Sequence, residues 1–68
     1  MKLAIVHKIT HKEKTFNTRP DSFEDAESMI WENRRYIDEW DFILYGTKNR
    51  KYRYSDEDPD FDYWKLIV

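Results

Sequence analysis

Cysteine is absent from this chain, so no disulfide can brace it and no thiolate can hold a metal. Glycine occurs once, at Gly46, and proline twice, at Pro20 and Pro59. A chain with one glycine carries no glycine-rich phosphate loop. Long apolar runs are also missing. None approaches the roughly 20 residues that cross a bilayer, and residues 3–6 near the start are too short for the core of a signal peptide. These absences fit an intracellular, cytoplasmic protein that does not enter a membrane.

What remains must fold on aromatic packing. The 68 residues make one small domain. A domain of this size buries only about 60% of the surface its unfolded chain exposes. Four Phe, three Trp and five Tyr are therefore the main resource, since each large ring can bury roughly 150–250 Å². Their number favours a folded domain even though 38% of the residues are charged.

The longest helical signal runs over residues 21–40. Wound at about 100° per residue, it puts Phe23, Ala26, Met29, Ile30, Tyr36, Ile37 and Trp40 on one side, with Asn33 as the single interruption. Glu24, Asp25, Glu27, Ser28, Glu32, Arg35, Asp38 and Glu39 fall on the other. Such a division suits a helix that covers a core and meets water. Its start is marked by two candidate caps, Asp21 with Glu24 and Ser22 with Asp25. Pro20 discourages an earlier start. The end has two solutions. Either the helix stops near Glu39 or Trp40 and residues 41–45 form a strand, or it continues to Tyr45 with Gly46 as a left-handed cap. The consecutive apolar and aromatic residues 42–45 favour the strand.

The flanks read as strands and turns. Residues 2–10 alternate as a half-buried strand, and residues 14–19 return as its hairpin partner. After the helix come strands over residues 41–45, 50–54 and 61–68. A turn at residues 46–49, where Gly46 and Asn49 tolerate positive φ, joins the first two. An acidic loop at residues 56–60 precedes the last. The expected architecture is an α+β domain of order β-β-α-β-β-β, with one helix on a mostly antiparallel sheet.

Charge is laid down in blocks. Residues 1–20 carry a net +4, residues 21–41 a net −6, residues 48–53 a net +4 and residues 56–62 a net −5, so the overall −2 hides segregation. The blocks either neutralise one another across the fold or give it two electrostatically distinct faces.

Candidate sites follow from this pattern. Trp31 lies off the apolar stripe, between Glu27 and Arg35. It is either an anchor for a protein partner or a local packing element, with Arg35 stacked on the indole or a loop over it. The expected partner surface is basic, and the residues that would meet it are Trp31, Glu24, Glu27, Glu32, Arg35 and Asp38, helped by Asp56, Glu57, Asp58 and Asp60. Carboxylates at such intervals imitate the phosphates of a duplex, as in an inhibitor that competes for a nucleic-acid channel. The alternative is direct nucleic-acid binding by Lys48, Arg50, Lys51, Tyr52 and Arg53, where cations and rings interleave. The charged strand also suits, and suits better, a sheet edge kept soluble by charge. Self-association through a sheet edge is a third expectation.

Chemistry of other kinds has little support. Residues 56–62 lack the glycine turn and terminal Glu of a calcium loop. His7 and His11 would stand roughly 13 Å apart on a strand, too far to share a metal, and His7 reads as a core histidine. No nucleophile–base pattern is visible. The expectation is a non-enzymatic binding protein without cofactor or metal.

Overall fold

The computed structural model describes residues 1–54 and 64–67. Along the chain come β1 (Lys2–His7), β2 (Glu13–Thr15), α1 (Phe23–Glu32), a 3₁₀ turn (Arg34–Tyr36), β3 (Trp40–Tyr45), β4 (Lys51–Tyr54) and β5 (Trp64–Leu66). The strands form one sheet in the order β2-β1-β3-β4-β5, every neighbouring pair antiparallel. This is the α+β domain with one α-helix that the residue pattern implies.

Register decides which side chains share a face. Leu3 stands opposite Leu44, Ile5 opposite Phe42 and His7 opposite Trp40. These positions face α1, which contributes Ala26 and Ile30 to the same buried cluster. Leu3, Ala26, Ile30, Phe42 and Leu44 are sealed from solvent. Burying each of the larger ones is worth roughly 1.5–3 kcal/mol. Tyr36, Ile37, Trp40, Tyr52, Tyr54 and Trp64 pack around them and remain partly exposed.

The helix begins where the capping pattern placed it and ends sooner. Ser22 is the cap: its hydroxyl accepts from the Asp25 amide at 3.2 Å, and the Asp25 carboxylate accepts from the Asp21 amide. The expected span of residues 21–40 is corrected to Phe23–Glu32. Asn33, the polar break in the apolar stripe, is the terminator. Its side-chain amide donates to the Met29 carbonyl at 2.8 Å, and its backbone N–H donates to the Met29 and Ile30 carbonyls. Two carbonyls of the last turn are thus satisfied by the residue that stops it.

The other strands, β3 excepted, are shorter than the residue pattern suggested. β1 ends at His7, whose Nδ1 accepts the Ile9 and Thr10 amides and ties the loop down. β2 covers only Glu13–Thr15, although Phe16 beyond it still stacks on Phe42 at 6.4 Å. β4 begins at Lys51 instead of residue 50, and β3 at Trp40 instead of residue 41. Of the last expected strand, Trp64–Leu66 is observed; residues 61–63 and Val68 lie outside the described residues.

The β3–β4 turn corrects the role given to Gly46. The left-handed positions are Lys48 (φ 58) and Asn49 (φ 61), and no glycine has positive φ. The Arg50 amide closes the turn on the Thr47 carbonyl. Gly46 is needed for space: a Cβ there would sit 3.1 Å from the Tyr52 ring.

Candidate functional site

α1 has its buried side at Ala26 and Ile30. The residue after Ile30 turns about 100° away, and Trp31 is 62% exposed. Glu27 stands one turn back on the same flank and Glu24 two turns back, about 6 and 10 Å along the axis. Glu24 and Glu32 are exposed and Glu27 half-buried; Asp38 is exposed in the turn that follows. Among the described residues, Glu24, Glu27, Glu32 and Asp38 take part in no hydrogen bond or ion pair. The helix carboxylates therefore keep their charge uncompensated by direct contact.

The arginines beside Trp31 are engaged elsewhere. Arg34 donates to the Trp31 carbonyl at 3.0 Å. Arg35 lies over the Tyr36 ring, 4.9 Å from its centroid, and donates to the Tyr36 hydroxyl at 3.1 Å. That bond, with the positive charge behind it, lowers the pKa of the Tyr36 phenol below its ordinary value. The expected alternative, Arg35 stacked on the indole, is not what forms. The acidic residues Asp56, Glu57, Asp58 and Asp60 lie outside the described residues.

The basic hairpin divides in two. Lys48 and Arg50 are exposed in the turn. Lys51 and Arg53 point to the sheet face away from α1, since their cross-strand partners are Tyr45 and Ile43. Tyr52 points the other way, opposite Leu44, with its ring edge-on to Phe23 at 5.1 Å. The cations and the ring that are interleaved in sequence thus occupy opposite surfaces.

Tyr45 was not singled out by sequence, yet it closes the central strand β3 on the helix-free face. It lies opposite Lys2 on one side and Lys51 on the other. The two ammonium groups stand 4.4 and 5.4 Å from its ring centroid. Its hydroxyl donates to Glu13. That bond, then burial and the Glu13 charge, push its pKa up to about 12. Ile9, which shares a side with Leu3, Ile5 and His7 in the alternation expected over residues 2–10, is 82% exposed because β1 has already ended.

A cleft of about 180 Å³ lies between Phe16, Tyr36 and Trp40, with Lys14 at its mouth. It is smaller than the roughly 300 Å³ at which small-molecule pockets begin. Among the described residues no cluster of three metal-ligating side chains occurs, and no helix is long and apolar enough to cross a membrane. No protein-family model matches the chain, and no curated protein or solved structure matches it.

Proposed function

We propose that this chain is a small non-enzymatic binding module, an inhibitor or adaptor, that docks on a basic surface of another protein through the outer side of α1. The observation that carries the proposal is the exposure of Trp31 at the end of the unpaired carboxylate strip Glu24–Glu27. A large rigid ring set among uncompensated charges fits the anatomy of a hot spot: the ring fills an apolar pocket and the charges steer and orient the encounter. Glu32 and Asp38 extend the acidic surface, and Arg35, held by Tyr36, stands at its rim. Where the partner's surface normally holds nucleic acid, these carboxylates take the place of phosphates.

The experiment is capture from the native host with immobilised wild-type protein and with two variants, Trp31→Ala and Glu24→Gln/Glu27→Gln. A specific partner should bind the wild type, be lost with Trp31→Ala and weaken with rising salt. Duplex DNA competing for the captured partner supports the mimicry. A partner retained equally by both variants contradicts the proposal.

A further inference from the structure

We infer that the helix-free face of the sheet binds single-stranded nucleic acid: the Lys2 and Lys51 ammonium groups, which stand over the Tyr45 ring in the free protein, move with Arg53 onto its phosphates and leave the ring to a base. This surface is separate from the outer side of α1 and does not depend on the reading given to Trp31.

The placement follows from register. Lys2, Tyr45 and Lys51 form one row across β1, β3 and β4. Neighbouring strands lie about 4.8 Å apart, so the two lysine stems are rooted roughly 10 Å from one another with the ring between them. Arg53 is two residues along β4 from Lys51, roughly 7 Å further, opposite Ile43. The exposed Lys48 and Arg50 continue the positive charge into the turn. Lys2, Lys51 and Arg53 form no ion pair. Of the described carboxylates on this face, Glu13 is held by the Tyr45 hydroxyl, and Asp41 stands opposite Val6, towards the other end.

The surface is also hollowed. A groove of about 380 Å³ is lined by the apolar Val6, Ile43 and Ile67, by Tyr45 and Lys51, and by His11 and Glu13. An apolar lining, a ring fixed through its hydroxyl and cations at phosphate-like intervals suit a strand whose bases are unpaired, because stacking on a side chain needs a free base face. The acidic side chains of α1 do not oppose this at physiological salt. The carboxylates of α1 lie beyond the helix, about 10–12 Å thick, whereas the screening length is about 8 Å.

The test is fluorescence anisotropy of a labelled oligothymidine, its duplex and a labelled polyglutamate. Three neutralised phosphates give a log–log salt slope of about −2, a loss of roughly twentyfold between about 50 and 200 mM salt. Lys51→Ala/Arg53→Ala and Tyr45→Leu should each weaken oligothymidine binding about tenfold, with the melting transition retained. Trp31→Ala should leave it unchanged, which separates this surface from the helix. No binding at low salt, equal binding by the double variant, or tighter binding of the duplex or the polyglutamate overturns the inference.

Discussion

The hydroxyl of Tyr45 on β3 donates to the carboxylate of Glu13 on β2, reaching across the intervening β1. The bond links one edge of the sheet to its centre and fixes the ring on the helix-free face.

It also gives an alkaline signature. The Tyr45 pKa rises from 10.0 to about 12, chiefly through that bond. The folded state thus keeps a proton that the unfolded chain releases, so the contribution is complete below pH 10 and is lost as pH climbs towards 12. Spectrophotometric titration of the phenols should show one tyrosine ionising last, and Glu13→Ala should return it to the ordinary range. A titration unchanged by that substitution contradicts the assignment.

Gly46 is held to glycine by the Tyr52 ring and not by its own backbone angle. Alanine would gain about 0.4–1 kcal/mol through the unfolded state but would press a methyl against a ring that Phe23 already contacts edge-on. Overpacking costs about 1–3 kcal/mol. Denaturant unfolding of Gly46→Ala should show a net loss of about 1 kcal/mol.

Lys48 and Asn49 both sit in the left-handed region, where a side chain costs roughly 1–2 kcal/mol. Asn-Gly is the pair such a turn favours. Lys48→Asn/Asn49→Gly should therefore raise stability by about 1 kcal/mol in the same unfolding assay. A loss would mean that the turn is not closed between Thr47 and Arg50.

The buried half of the fold was legible because period and burial agree there. Ala26 and Ile30 lie where helical spacing placed them, and Phe42 and Leu44 lie in the strand that the consecutive apolar run favoured. The helix end was not, for a physical reason. Tyr36, Ile37 and Trp40 still pack on the core after the helix has stopped, so apolar spacing continued past the point where Asn33 turned its amide back on the chain. The exposure of Trp31 was left open because it depends on whether another element covers the helix flank, which one strand of sequence does not encode. Tyr45 escaped notice because its lysine neighbours come from β1 and β4, distant in sequence. Tyr52 was legible only as one of two alternatives, and its place under Phe23 decides for packing.

The most direct test compares Trp31→Ala with the wild type in two measurements on the same preparation: affinity for the captured protein by calorimetry, and melting temperature. An anchor that is 62% exposed in the free protein should cost more than about 1 kcal/mol of binding when truncated, with the melting temperature nearly unchanged. A fall of more than about 4 °C, equivalent to a stability loss near 1 kcal/mol in a domain of this size, would place the indole in the fold's own packing and contradict the account.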